Sequence, residues 1–281
     1  MSRNNELRTG PRGDAGSEAP PSRMNPLDFI APTDHVELPS QGKCYPAHHP
    51  LHNKETIEIN YMTAKEEDIL TSRSLLKKGL AIERLIDSLI TDKTINGRDL
   101  IVGDRNAILI AARGAAYGND YTTKVTCPNC GTVSKYEFDL EEAKVYNGDK
   151  WDDVEVEITP EGLYKTTLPT TQFEIEFRIL NGKDELEMVK KAQKNQKHNM
   201  VESNISDQIK LFIVSVNGYS EAKVINHVVP KLPARDSIYL RKVYKACAPD
   251  VRIATDFTCP ACEFEQELEV PFGADFFWPD R

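Results

Sequence analysis

Four of the chain's six cysteines fall in two Cys-Pro-x-Cys turns, Cys127 to Cys130 in VTCPNCGTVSKYEF and Cys259 to Cys262 in DFTCPACEFEQELEV. Paired thiols in a tight turn suit soft-metal ligation or redox exchange. A tetrahedral zinc ion takes four ligands, with sulfur about 2.3 Å away, and one such turn can supply two of them. Cys127, Cys130, Cys259 and Cys262 would fill the sphere and leave no position for water, which marks a structural rather than a catalytic zinc. Such an ion ties the middle of the chain to its end, so that binding free energy becomes folding free energy. Two other readings stay open. The turns are packed thiol pairs without metal, or a redox pair, although neither begins a helix, the feature that lowers a nucleophilic thiol's pKa. Cys44 and Cys247 have no partner at ligand spacing and read as small packing residues.

The elements around the turns follow from periodicity. YTTKV alternates into Cys127 and SKYEF alternates away from Cys130, which predicts a hairpin with the cysteines in its turn. Before it, NAILIAARGAA predicts a helix ending near Gly118. Earlier, Thr63 as N-cap with Glu66 as its capping-box partner opens an amphipathic helix over about Ala64 to Leu89, with a break near Gly79. TIEIN, VEVEI (Val154 to Ile158) and FEIEFRI (Phe173 to Ile179) have the period of strands, so a β-rich insertion fills the middle of the chain. Lys183 to Lys194, Ser203 to Val216 and Ala234 to Ala246 read as helices, the last leading to the second CPAC hairpin.

The distance from Cys127 to Cys259 is 132 residues, and the same offset carries Asp104 onto Asp236, Ile108 onto Leu240 and Thr126 onto Thr258. Each half then reads as an Asp-capped helix, strand, CPxC turn and strand. Either the chain is an internal duplication or two unrelated hairpins share a ligand motif.

Other chemistry finds less support. His48, His49 and His52 cluster, but Pro46 and Pro50 break the helix that would align them, and a solvated loop is the simpler reading. No phosphate-binding glycine loop, nucleophile elbow or HExxH motif occurs, and the carboxylate runs read as solvated faces. With 35 Lys and Arg against 44 Asp and Glu, the net charge of −9 works against sequence-independent binding to phosphate backbones. The N-terminus has no apolar signal-peptide core, and no window approaches the roughly 18 apolar residues of a membrane span. A soluble protein of a reducing cytoplasm is expected.

Residues 1 to about 25 are rich in Pro, Gly, Ser, Arg and Asn, and are expected to be a disordered tail. HVELPSQGKCYPAHHP reads as an extended, turn-punctuated arm. Leu38, Pro39, Gly42 and Tyr45 in this arm are candidate partner contacts. FGADFFWPDR concentrates aromatics at the end, and Phe276, Phe277 and Trp278 either close the core or anchor a partner. The chain divides into a tail (1–33), an arm and strand (34–62), helices with the first knuckle (63–150), the insertion with a helix (151–200), and helices with the second knuckle and aromatic end (201–281).

Several islands together resemble the T4-like bacteriophage baseplate proteins, a family that includes a baseplate hub subunit or hub assembly factor. They are VELPSQGKCYP, the helix DRNAILIAARGAAYGNDY, CPNCG followed by FDL, and the terminal FFWPD, spread from Val36 to Asp280. Leu38, Pro39, Ser40, Gly42, Tyr45 and Pro46 match the family's LPSxGxxYP entry, and Asp104, Arg105, Arg113, Tyr117, Gly118 and Tyr121 its helix motif. The resemblance implies a late phage protein that acts through contacts with baseplate hub, spike and other tail proteins, without catalysis, in the host cytoplasm during tail assembly and in the virion if it is retained. A longer N-terminus and the stretch from Trp151 to Lys197 depart from the family pattern. A zinc-ribbon module bound to nucleic acid or transcription is the competing reading, and an enzyme with an unrecognised site the third. The expected fold is α+β: a helical body, two CPxC β-hairpin knuckles joined in a zinc-ribbon-like four-cysteine site, and a β-rich insertion.

Overall fold

TIEIN forms β2 (Thr56–Asn60), with Ile57 and Ile59 buried and the intervening polar side chains turned outward. It pairs antiparallel with β1 (Thr33–Glu37), in register from Thr33 opposite Asn60 to Glu37 opposite Thr56. The computed structural model describes residues 31–197, 204–270 and 276–277. Residues 1–30 of the expected tail (1–33) and Trp278 lie outside them, while Thr33 at the end of that tail opens β1.

Thr63 caps α1 (Ala64–Thr71) in the expected box, its N–H donating to Glu66 Oε2 at 3.0 Å. The stretch read as one helix with a single break is three. Ser72 is extended between α1 and α2 (Arg73–Lys78), and Gly79, left-handed at φ 67°, ends α2 before α3 (Ala81–Leu89). The turns let α3 lean on α1 and drive Leu85, Ile86 and Leu89 fully into the core. Next comes α4 (Val102–Tyr117), closed by the Gly118 N–H on the Gly114 carbonyl.

The first cysteine turn joins β3 (Asp120–Thr126) to β4 (Val133–Asp139), and β5 (Lys144–Tyr146) follows. A four-stranded antiparallel sheet runs in chain order through β6 (Glu157–Ile158), β7 (Tyr164–Thr167), β8 (Glu174–Phe177) and β9 (Ile213–Val216). Between β8 and β9 lie α5 (Gly182–Lys197) and α6 (Asn204–Phe212). Then come α7 (Ala222–Val228), α8 (Ala234–Cys247), β10 (Asp250–Arg252), which pairs with β5, and the hairpin of β11 (Ala254–Thr258) and β12 (Glu265–Glu269).

Two sequence expectations change. The helix expected over Ser203 to Val216 gives way after Phe212 to the strand IVSV, whose β-branched residues fit a pleated, buried position. The region read as an insertion is no separate body, because its strands β6, β7 and β8 are completed by β9 from beyond it.

That sheet also makes the second half a repeat of the first. A pair of strands encloses a Leu-Pro turn in each case: β1 and β2 around Leu38-Pro39-Ser40, β7 and β8 around Leu168-Pro169-Thr170. Helices follow, and a returning segment bonds to the second strand, through the Ile59–Ile90 bridge in one half and β9 in the other. A long helix and a cysteine hairpin complete both. The halves share one core that includes Ile108 and Leu240, both fully buried.

Candidate metal centre

Both knuckles have one backbone. In the first, the Cys127 N–H donates to the Thr132 carbonyl and the Gly131 N–H to the Cys127 carbonyl, each at 2.9 Å. In the second, the Cys259 N–H donates to Phe264 and the Glu263 N–H to Cys259, again at 2.9 Å. The residue after each second cysteine is left-handed, Gly131 at φ 72° and Glu263 at φ 55°. This turn points both thiols of a pair to the same side.

The four sulfurs of Cys127, Cys130, Cys259 and Cys262 all lie within 4.8 Å of one another. Cys127 Sγ is 3.7 Å from Cys262 Sγ, and Cys130 Sγ is 3.6 Å from Cys259 Sγ. Sulfurs 2.3 Å from a central ion sit about 3.8 Å apart in a regular tetrahedron, so the spacing fits a four-thiolate metal site. A disulfide needs about 2.05 Å, and all six cysteines are free. The 132-residue offset that relates the knuckles exchanges the pair 127–262 with the pair 259–130, and the near-equal distances follow from that exchange. Burial obeys it as well: the first cysteine of each turn, Cys127 at 1% and Cys259 at 0% exposure, is inside.

A small apolar cluster seats the centre. Phe257 is buried against Cys127 and Cys259, and Tyr136 stacks edge-on between Phe138 and Phe257 at 5.2 and 5.7 Å. Tyr136 Oη donates to the Asp256 carbonyl at 2.7 Å, joining one hairpin to the other. Hydrogen bonding with the Thr132 hydroxyl and then the Thr132 N–H pulls the Cys130 thiol down to about 6, which favours the thiolate that binds metal. Cys44 and Cys247 behave differently: burial pushes their thiols up to about 11 and about 12. Neither joins the sulfur cluster, and Cys44 packs 3.7 Å from Tyr164 Oη.

A family model described as T4 bacteriophage base plate protein matches residues 31–278. The chain belongs to that family. No curated protein and no solved structure matches it.

The stretch LPSQGKCYP, Leu38 to Pro46, is the socket of a buried carboxylate. Asp104, in the first turn of α4 and fully buried, accepts the Ser40 N–H at 3.0 Å, the Ser40 hydroxyl at 2.6 Å and the Tyr45 hydroxyl at 2.7 Å. Tyr45 Oη in turn accepts the Ile101 N–H at 3.2 Å. Gly42 has φ +71°, and a Cβ there would collide with the Leu51 carbonyl and the Lys54 N–H. Leu38, Pro39, Gly42 and Tyr45, expected as an arm that meets a partner, are therefore turned into the chain's own core. Glu37, Lys43 and Pro46 beside them are exposed. Phe276 and Phe277 are also buried, at 1% and 2%; Phe276 packs tilted on Tyr121 and edge-on against Phe277, so they close the core rather than project from it. His49 stacks on Tyr45 at 4.5 Å, and His52 Nδ1 lies 2.7 Å from the Tyr45 carbonyl, which gives these histidines a packing role in the socket.

The second socket escaped the sequence reading. Asp236, in the first turn of α8 and fully buried, accepts the N–H groups of Thr170 and Thr171 at 2.7 and 3.0 Å. The signal was present: Leu38-Pro39 and Leu168-Pro169 are 130 residues apart, two short of the cysteine offset.

Proposed function

We propose that this base plate family member is a hub subunit or hub assembly factor that works through protein contacts and is held rigid by a structural zinc. The reading is carried by the family match over residues 31–278 together with four sulfurs at tetrahedral spacing. The donor set, Cys127, Cys130, Cys259 and Cys262, fits zinc, since four thiolates saturate the ion and leave no place for a substrate or water. When bound, the ion would supply a cross-link and no reaction.

The arrangement suits an organising protein. The knuckles come from opposite halves, and their closure would fix the relative position of both and of the surfaces they carry. Hub, spike and other tail proteins are the proposed partners, met in the host cytoplasm during assembly. Nucleic acid, membrane and catalysis have no part in the role. Among the described residues, no helix is long and apolar enough to cross a membrane.

Affinity capture of the tagged chain from infected cells, with mass spectrometry of its partners and of purified virions, tests the role. Hub and spike proteins are the expected companions. Recovery of RNA polymerase or nucleic acid in their place would overturn it. Presence in virions separates a subunit from a transient factor.

A further inference from the structure

Arg113 is a buried cation without a counter-ion among the described residues. It lies near the end of α4 at 5% exposure, with its guanidinium carbon 5.6 Å from the Tyr117 ring, 5.0 Å from Tyr121 and 5.5 Å from Phe276. The rings offer π faces but no lone pairs for its N–H groups. Its one hydrogen bond among the described residues, from Nη2 to the Asp120 carbonyl, is long at 3.5 Å, and the buried Nε has no partner. The comparably buried Arg105, 4% exposed, is satisfied by Glu185 at 3.0 Å and Glu83 at 3.9 Å, and the more exposed Arg178 grips Asp184 with both terminal nitrogens at 2.7 and 2.8 Å. Arg113 makes no ion pair among the described residues, in a chain with nine surplus negative charges. Burial lowers its pKa, the mark of a charge short of compensation. Nη1 likewise has no hydrogen bond among the described residues. Beside it stands Tyr117, 37% exposed and steadied by its hydroxyl on Glu67 at 3.1 Å.

We propose that Arg113, in its cage of Tyr117, Tyr121 and Phe276, is a recognition point for a carboxylate carried by a partner polypeptide. An acidic side chain or a chain terminus would meet the terminal N–H groups, Nη1 and Nη2, in the two-pronged geometry that guanidinium favours. That the partner is a tail protein rests on the assembly role proposed above, whereas carboxylate binding does not.

Two measurements keep these separate. In thermal unfolding of the full chain, sodium acetate compared with chloride at equal ionic strength is expected to raise the midpoint saturably. Arg113→Met should lose that gain while matching or exceeding the wild-type midpoint in chloride, because it removes an unpaired buried charge. A less stable Arg113→Met protein with no acetate response in the wild type, the pattern of a chain that supplies its own counter-ion, would overturn the proposal. A response to inorganic phosphate but not acetate would overturn the carboxylate assignment. In infected cells, Arg113→Met should cut incorporation into baseplates at least about tenfold. Arg113→Lys, which keeps charge but not the fork, should fall between. Normal incorporation of the folded Met variant would remove the partner.

Discussion

The two halves of the molecule solve one problem with different chemistry. Each must hold a Leu-Pro turn against the start of a long helix, and each uses a buried aspartate. In the first half the turn approaches Asp104 with two hydroxyls, those of Ser40 and Tyr45, and one N–H. In the second half Asp236 is met by two successive backbone N–H groups, from Thr170 and Thr171. The two carboxyls shift in opposite directions, set by the balance of burial against hydrogen bonding. Burial pushes Asp104 up and its hydrogen bonds offset this only in part. Burial also pushes Asp236 up, but hydrogen bonds from Thr171 and Thr170 outweigh it and hold its pKa below the ordinary range. The geometry of a repeat can thus persist while its electrostatics diverge, and at the knuckles the halves meet as equals, two cysteines from each.

The largest effect should come from uncoupling the halves there. Cys127→Ser or Cys259→Ser, or zinc chelation, should cost several kcal/mol and unfold the hairpins, judged against structural zinc affinities of about 10–16 kcal/mol. Circular dichroism during heating checks this, and Cys44→Ser, outside the cluster, should leave the midpoint within about 1 kcal/mol of wild type.

Next in size is a break confined to the first half. Gly42→Ala puts a methyl group on backbone atoms of Leu51 and Lys54 at a left-handed residue, and should cost more than about 2 kcal/mol in urea unfolding. The corresponding turn of the second half contains no glycine, so substitution of its exposed Thr170 by Ala should be nearly neutral.

The aspartates sharpen the comparison through pH. Because the folded pKa of Asp236 is depressed, its contribution is fully present above its unfolded value near 3.9 and is lost as pH falls through the folded value. Asp236→Asn should therefore cost about 1–3 kcal/mol at neutral pH and progressively less in acid. Asp104 has the opposite sign: its raised folded pKa means that stability declines as pH rises from about 3.9 through the folded value. The cost of Asp104→Asn should shrink over that window. Urea titrations of zinc-saturated protein across pH 3.5 to about 7 read both slopes.

The smallest effect separates the knuckles themselves. Glu263 holds a left-handed conformation that Gly131 adopts without penalty. Glu263→Gly should be neutral or stabilising by up to about 1 kcal/mol, whereas Gly131→Ala, whose Cβ meets nothing within 4 Å, should cost about 1 kcal/mol through backbone strain alone.

Much of this was legible in the residues. The four cysteines, the Thr63–Glu66 box, helix α4 and the strand TIEIN all carry local signals, and the 132-residue offset pointed at the repeat. What the sequence hid was mostly non-local. IVSV continues a helical pattern across Phe212 and becomes a strand because β8 offers it an open edge. Leu38, Pro39, Gly42 and Tyr45 look like an extended arm because three prolines and a glycine preclude regular structure, and only the carboxylate of Asp104, 59 residues beyond Tyr45, turns them inward. That Arg113 has no ion pair among the described residues follows from what fails to approach it, which no spacing rule records.

The central claim is that one zinc ion clasps the two halves. Metal analysis of the purified full chain, combined with zinc X-ray absorption, tests it most directly. One zinc per chain with four sulfur neighbours at about 2.3 Å, absent from Cys259→Ser, is the predicted result. A folded wild-type chain without bound metal, or zinc retained in Cys259→Ser, would contradict it.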